Sequence, residues 1–105
     1  MSETLNNLIV AVKTATDFQI NKKLLKEKIT TDLHLAYNNG LFKVDVELIA
    51  FLSTWEDKEL VIEDCYESPI RVDRAELLDL AKQHYRKVMN FWQLEYDKLK
   101  TIRKI

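Results

Sequence analysis

The sequence predicts a helix-dominated α+β fold with two N-terminal helices, a short antiparallel hairpin over about 59–72 and one long C-terminal helix over about 74–104. Three separate stretches carry apolar residues at intervals of three and four, which is typical of amphipathic helices. A fourth stretch holds two short β-branched runs on either side of a turn, which is typical of paired strands. The length of 105 residues fits a single domain, 1–105.

The two N-terminal helices are predicted over 3–15 and 22–38. In the first, Leu5, Leu8, Ile9 and Val12 recur at helical spacing, although a buried strand over 8–12 is an alternative because of its β-branched residues. Residues 14–20 are then a connection. In the second, Leu25, Ile29, Leu33 and Ala36 share one face, and Gly40 closes the helix as a left-handed residue.

Residues 42–55 are compatible with two structures. Phe42, Val44 and Val46 alternate with charged residues, which favours a strand. Asp45 could instead cap a helix whose apolar face begins at Leu48. We expect a short extended piece over 42–44 followed by a helix, with a strand over 45–55 as the alternative.

The hairpin and the long helix have clearer boundaries. Leu60–Ile62 and Ile70–Val72 form the two arms, and Pro69 stands at the start of the second, where a missing amide does least harm. Asp73 precedes the last helix, with Glu76 three residues on, which is the spacing of a capping box.

The C-terminal helix carries the main functional hypothesis. The helix carries one apolar seam, broken once at Glu95, and would be roughly 48 Å long, whereas a compact domain of this size should be about 35 Å across. The rest of the chain therefore looks too short to cover the helix end. We expect this end to pair with a second copy, through an interface of Trp92, Tyr96, Leu99 and Ile102.

Charge distribution supplies the alternative function. The net charge is −1, but 41–73 carry three basic and nine acidic residues, whereas 74–105 carry eight basic and four acidic ones. The basic end of the last helix could contact nucleic acid as an accessory protein would, although the chain as a whole is slightly acidic. The residues of this alternative are Lys98, Lys100, Arg103 and Lys104.

No pattern of residues predicts catalysis, so we expect a non-catalytic protein without metal or cofactor. One glycine cannot build a phosphate-cradling loop or a dinucleotide fingerprint. His34 and His84 lack the spacing of a zinc-binding pair. Cys65 lies among carboxylates, which disfavour a reactive thiolate.

The expected location is the cytoplasm. A single cysteine permits no internal disulfide, which fits a reducing compartment. No secretory signal is evident at the N-terminus. The apolar runs at 8–12 and 48–52 are too short to cross a bilayer, so no membrane association is expected.

The run from Asp64 to Leu78, followed by Gln83-His84-Tyr85 and Trp92, resembles small uncharacterised proteins of tailed phages that infect marine cyanobacteria. The resemblance covers roughly the C-terminal half of the chain, and none of its residues forms a motif of known chemistry. It implies a phage-encoded protein of the host cytoplasm and no catalytic residues.

Overall fold

In the computed structural model, which describes residues 2–103 and the side chains of 4–101, two long helices form a stalk and the remaining elements form a head at one end of it. The elements are α1 Ser2–Asp32, β1 His34–Tyr37, β2 Gly40–Lys43, α2 Val46–Thr54, β3 Glu59–Glu63, β4 Pro69–Asp73 and α3 Arg74–Arg103. The molecule measures 70 × 23 × 19 Å, with a radius of gyration of 20.2 Å. A compact domain of this length would have about 13 Å.

The N-terminal part is one helix, so the prediction of two helices was wrong. Helix α1 runs without interruption through the predicted connection over 14–20. No glycine or proline breaks this stretch. The hydroxyl of Thr16 donates to the carbonyl of Val12 over 2.9 Å, so the polar side chain is satisfied within the helix. Phe18, in the same stretch, is buried and faces Tyr96 of α3 at a ring-centroid distance of 6.4 Å.

The predicted end of the second helix is a β-hairpin instead. Strands β1 and β2 pair antiparallel from His34↔Lys43 to Tyr37↔Gly40. The turn residues Asn38 and Asn39 have φ of 48° and 64°, the two positive values that a type I′ hairpin turn requires. The sequence signal for a left-handed backbone was therefore real, but it belongs to these asparagines.

Gly40 has no positive φ, so its predicted role in closing a helix was also wrong. A Cβ at this position would lie 2.8 Å from Cγ1 of Ile70 on the second hairpin. Glycine is needed here because the two hairpins approach each other closely, and not because of the backbone conformation.

Helix α2 confirms the expectation for 45–55. The Asp45 carboxylate accepts a bond from the amide of Leu48 over 2.8 Å, as an N-cap does. Phe42 lies in strand β2 as predicted, and the helix begins at Val46.

The second hairpin is also confirmed, with β3 and β4 paired from Glu59↔Asp73 to Glu63↔Pro69. Four hydrogen bonds attach it to the first hairpin. The Leu41 amide donates to Asp64 Oδ2 over 3.0 Å, and the Cys65 amide donates to the Leu41 carbonyl over 2.7 Å. Asn38 Nδ2 donates to the Arg71 carbonyl over 2.9 Å, and the Asp73 amide donates to the Tyr37 hydroxyl over 3.4 Å. Each hairpin alone would be marginal, and these bonds hold them together as one unit.

The head core lies between the hairpins, α2 and the start of α3. Its buried members are Tyr37, Phe42, Leu52, Leu60, Val72 and Leu77, with Ile62, Ile70 and Leu78 packed against them. The predicted packing of the hairpin on the first turns of the last helix is thus observed. The predicted cap is observed as well, because Asp73 Oδ1 accepts from the Glu76 amide over 3.1 Å.

Helix α3 matches the predicted long helix closely. It begins at Arg74 and continues to Arg103, the last residue described.

Candidate interaction surface

The stalk is an antiparallel pair of helices held by a heptad-like seam. On α3 the covered positions follow intervals of three and four, and on α1 a matching set faces them. The α3 set is Ala81, Tyr85, Val88, Trp92, Glu95 and Leu99, and the α1 set is Thr14, Phe18, Leu25, Ile29 and Asp32.

Cross-helix contacts establish the pairing register. His84 Nε2 lies 2.6 Å from the Asp32 carbonyl, Lys26 Nζ lies 4.5 Å from the centroid of the Trp92 ring, and Phe18 packs on Tyr96. Residue numbers rise along one helix as they fall along the other. Helix α1 is therefore the cover that the sequence seemed to lack for the end of α3.

The residues predicted as an interface are only partly available for one. Trp92, Tyr96 and Leu99 are half-buried, because the uninterrupted α1 reaches alongside them. The reasoning that the chain is too short to cover them was wrong, since it assumed two short helices. Ile102 lies on α3, but its side chain is outside the described residues.

The cations of the nucleic-acid alternative are partly engaged within the stalk. Lys98 Nζ bonds Glu95 Oε1 over 2.9 Å, and Lys100 Nζ lies 5.3 Å from the centroid of the Tyr96 ring. Arg103 ends α3 with its side chain outside the described set, and Lys104 is outside the described residues altogether.

An exposed apolar surface lies at the start of α1, at the same end of the stalk as the end of α3. Five aliphatic side chains between residues 5 and 12 are each 56–60% exposed: Leu5, Leu8, Ile9, Val10 and Val12. No charged residue occurs between Glu3 and Lys13. These residues were predicted to be helical but not to be exposed, although the uncharged run was a visible signal.

The exposure follows from the stagger of the two helices. Sixteen described residues of α1 precede Phe18, whereas seven of α3 follow its partner Tyr96. About nine residues at the start of α1 thus have no described α3 residue opposite them, which corresponds to a projection of about 14 Å.

Leu5, Ile9, Val12, Thr16 and Ile20 recur at intervals of four and three on the side of α1 that faces away from α3, and we call them the α1 stripe. All five are exposed. Because the Thr16 hydroxyl is bonded to its own helix, this residue need not interrupt the apolar surface.

A groove runs along the flank of α3 and is a second candidate surface. Helix α2 borders one part of it and α1 borders the other, with Met89 common to both parts. The two parts have volumes of about 420 and 430 Å³. We call this the basic groove, because its charged lining residues are Lys22, Lys82 and Arg86.

Both histidines contact the end of α1, whereas the cysteine lies in the turn of the second hairpin. The ring nitrogens His34 Nδ1 and His84 Nε2 lie 3.0 and 2.6 Å from the carbonyls of Thr31 and Asp32, at the end of α1. Cys65 is exposed. No group of three His, Cys, Asp or Glu side chains within the described residues could hold a metal ion.

Comparison with known protein families, with curated proteins and with solved structures gives no match. Within residues 2–103, neither long helix is apolar enough over a sufficient length to cross a membrane.

Proposed function

We propose that this chain is a non-catalytic interaction or structural protein that self-associates through its stalk, and that the α1 stripe is the contact surface. The observation that carries the proposal is the set of exposed aliphatic side chains on residues 5–12. Contiguous apolar surface of this kind is unusual on a soluble monomer and is typical of an interaction site.

A second copy is the partner that the chemistry of this surface favours. Two identical surfaces carry the same net charge. They meet across a twofold axis without repulsion only if that net charge is zero, or if each charge lies opposite one of the other sign. The segment that carries the α1 stripe satisfies this condition, because residues 5–12 are uncharged and the charges of Lys13 and Asp17 cancel within 13–20.

The spacing of the α1 stripe is itself self-complementary. If two α1 helices cross antiparallel near Val12, Leu5 of one copy lies opposite Ile20 of the other, and Ile9 lies opposite Thr16. Every member of the stripe is then covered by another member, as an isologous contact requires.

Sedimentation velocity tests the proposal directly. We expect the unmodified chain to form a dimer at micromolar concentrations and Ile9→Glu to weaken it more than tenfold, because burial of an aliphatic side chain contributes about 1.5–3 kcal/mol and a buried charge adds a penalty. Asn7→Glu is the matched control, since it adds the same charge to the same helix end on another face. A monomer at roughly 200 µM, a concentration at which even weak specific dimers form, would refute the proposal.

Disulfide trapping tests the register. In a Cys65→Ser background, Val12→Cys should cross-link readily between copies, whereas Asn7→Cys should not, because only residue 12 lies at the proposed axis. Equal cross-linking of both variants would contradict this arrangement.

The face of Trp92, Tyr96, Leu99 and Ile102 is the other surface that could mediate the same pairing. Trp92→Ala distinguishes the two, because it should weaken the dimer more than Ile9→Glu if the contact lies on α3. The setting that we propose for either pairing is the cytoplasm of a phage-infected host, on the resemblance described above.

A further inference from the structure

The basic groove has the dimensions of a binding site for a helix. Its lining residues on α3 extend from Lys82 to Tyr96, a length of about 21 Å along the helix axis. Helix α2 borders it through Val46 and Ile49, and α1 borders it through Lys22. An elongated channel between helices is the usual seat of an amphipathic helix.

The floor of the groove is apolar. Three aromatic rings, a methionine and two aliphatic side chains line it within the described residues: Tyr85, Trp92, Tyr96, Met89, Val46 and Ile49. Methionine adapts its shape to different apolar partners, which suits a surface that receives side chains from another molecule. The floor therefore favours a partner with apolar side chains on one face.

The sides of the groove are positively charged. Lys22, Lys82 and Arg86 line it, and none of its described lining residues is a carboxylate. Lys26 lies over the Trp92 ring at the same level of the stalk.

This charge belongs to a broader basic band. The stalk segments 18–31 and 82–96 lie side by side at the level of the groove and together carry seven Lys and Arg residues and two carboxylates, Glu27 and Glu95, with Lys28 and Lys87 lining a separate pocket. A partner bound here must therefore present negative charge beside its apolar face.

We propose that the basic groove binds an acidic amphipathic helix of a protein partner, about 14 residues long. Apolar residues of that helix, spaced by three and four, contact Met89 and Trp92, and its flanking carboxylates face Lys22, Lys82 and Arg86. The inference is independent of the α1 stripe, because the groove lies on α3 and does not include residues 5–20.

A designed peptide tests this proposal. The probe is a fluorescein-labelled peptide of about 16 residues with leucines on one helical face and glutamates on the other. We expect a Kd of about 10 µM or tighter by anisotropy, and a change in Trp92 fluorescence in a Trp55→Phe background. A scrambled peptide of equal composition and a peptide with lysine in place of glutamate should each bind at least tenfold more weakly.

Paired variants locate the site. Lys82→Glu with Arg86→Glu should weaken binding more than tenfold, whereas Lys43→Glu with Lys58→Glu, an equal charge change on exposed residues of the head, should change it less than threefold. The Ile9→Glu variant should bind the peptide as the unmodified chain does, which separates this site from self-association.

Several results would overturn the proposal: no binding of the acidic peptide, equal binding of the scrambled one, or an equal effect of both double variants. Preferential binding of single-stranded oligothymidine that displaces the peptide would overturn it as well, and would assign the basic band to nucleic acid.

Discussion

His84 of α3 donates a hydrogen bond from Nε2 to the carbonyl oxygen of Asp32, the last residue of α1, over 2.6 Å. A carbonyl oxygen can only accept, so this ring nitrogen carries the proton. The last carbonyls of a helix have no partner within the helix. The bond therefore satisfies the end of α1 and also sets its position along α3.

We expect His84→Leu to lower the free energy of unfolding by about 1–3 kcal/mol, because it leaves the Asp32 carbonyl without its donor. Urea denaturation measures the change. His34→Leu is the comparison, since His34 bonds the neighbouring Thr31 carbonyl in an exposed position; an equal loss in both variants would show that the cross-helix bond has no special weight.

Gly40→Ala should destabilise the chain by about 1–3 kcal/mol, because the new methyl group would overlap Cγ1 of Ile70. Ile70→Ala removes that atom, so the double variant should lose less than the sum of the single losses. Additive losses in thermal unfolding would exclude the proposed steric conflict.

The Asp64 carboxylate should make the stability of the fold sensitive to acid. The amide of Leu41, and then those of Ser68 and Tyr66, hold the pKa of this carboxyl below its usual value. Because the folded pKa is depressed, the stabilisation is fully present above the unfolded value of about 3.9 and is lost as the pH falls through the folded pKa.

The urea midpoint should therefore fall on acidification below about pH 4, and Asp64→Asn should reduce this dependence. Glu63→Gln, at an exposed neighbouring position, is the control. A pH profile unchanged by Asp64→Asn would contradict the assignment.

Arg74 connects the end of α2 to the start of α3. Its Nη1 donates to the Leu52 carbonyl over 2.9 Å and its Nε donates to the Asp57 carbonyl over 3.0 Å. Arg74→Lys keeps the charge but loses the planar pair of donors, so we expect a loss of about 1–3 kcal/mol. In this variant, hydrogen exchange of the α2 amides should accelerate more than that of the α3 amides. An equal acceleration in both helices would indicate only global destabilisation.

The elements that sequence reasoning predicted well depend on local chemistry. Pro69 and the β-branched arms determine the second hairpin, and Asp73 caps α3 wherever the rest of the chain lies. The turn at Asn38 and Asn39 was misassigned because a left-handed residue closes a helix as readily as it forms a type I′ turn. The pairing of β1 with β2 and the hydrogen bonds of this turn to the second hairpin distinguish the two.

The candidate surfaces were likewise only partly predictable from the sequence. The apolar seam of α3 follows from the spacing of its residues, but the spacing does not show that α1 is the element that packs on it. Residues 14–20 were predicted as a connection between two helices, whereas the structure has one continuous helix in which Phe18 is buried against Tyr96. That continuity covers Trp92 and places the exposed apolar surface on residues 5–12 instead.

By itself, the sequence determined the helix-rich composition, the second hairpin and the long last helix, because their signals act over a few residues, and it favoured α2 over a strand. The tertiary structure decided that the first 32 residues form one helix, that the two long helices pair with a stagger, and that the α1 stripe and the basic groove remain open. The physical reason is that exposure depends on the register between elements distant in the chain, which local spacing does not encode.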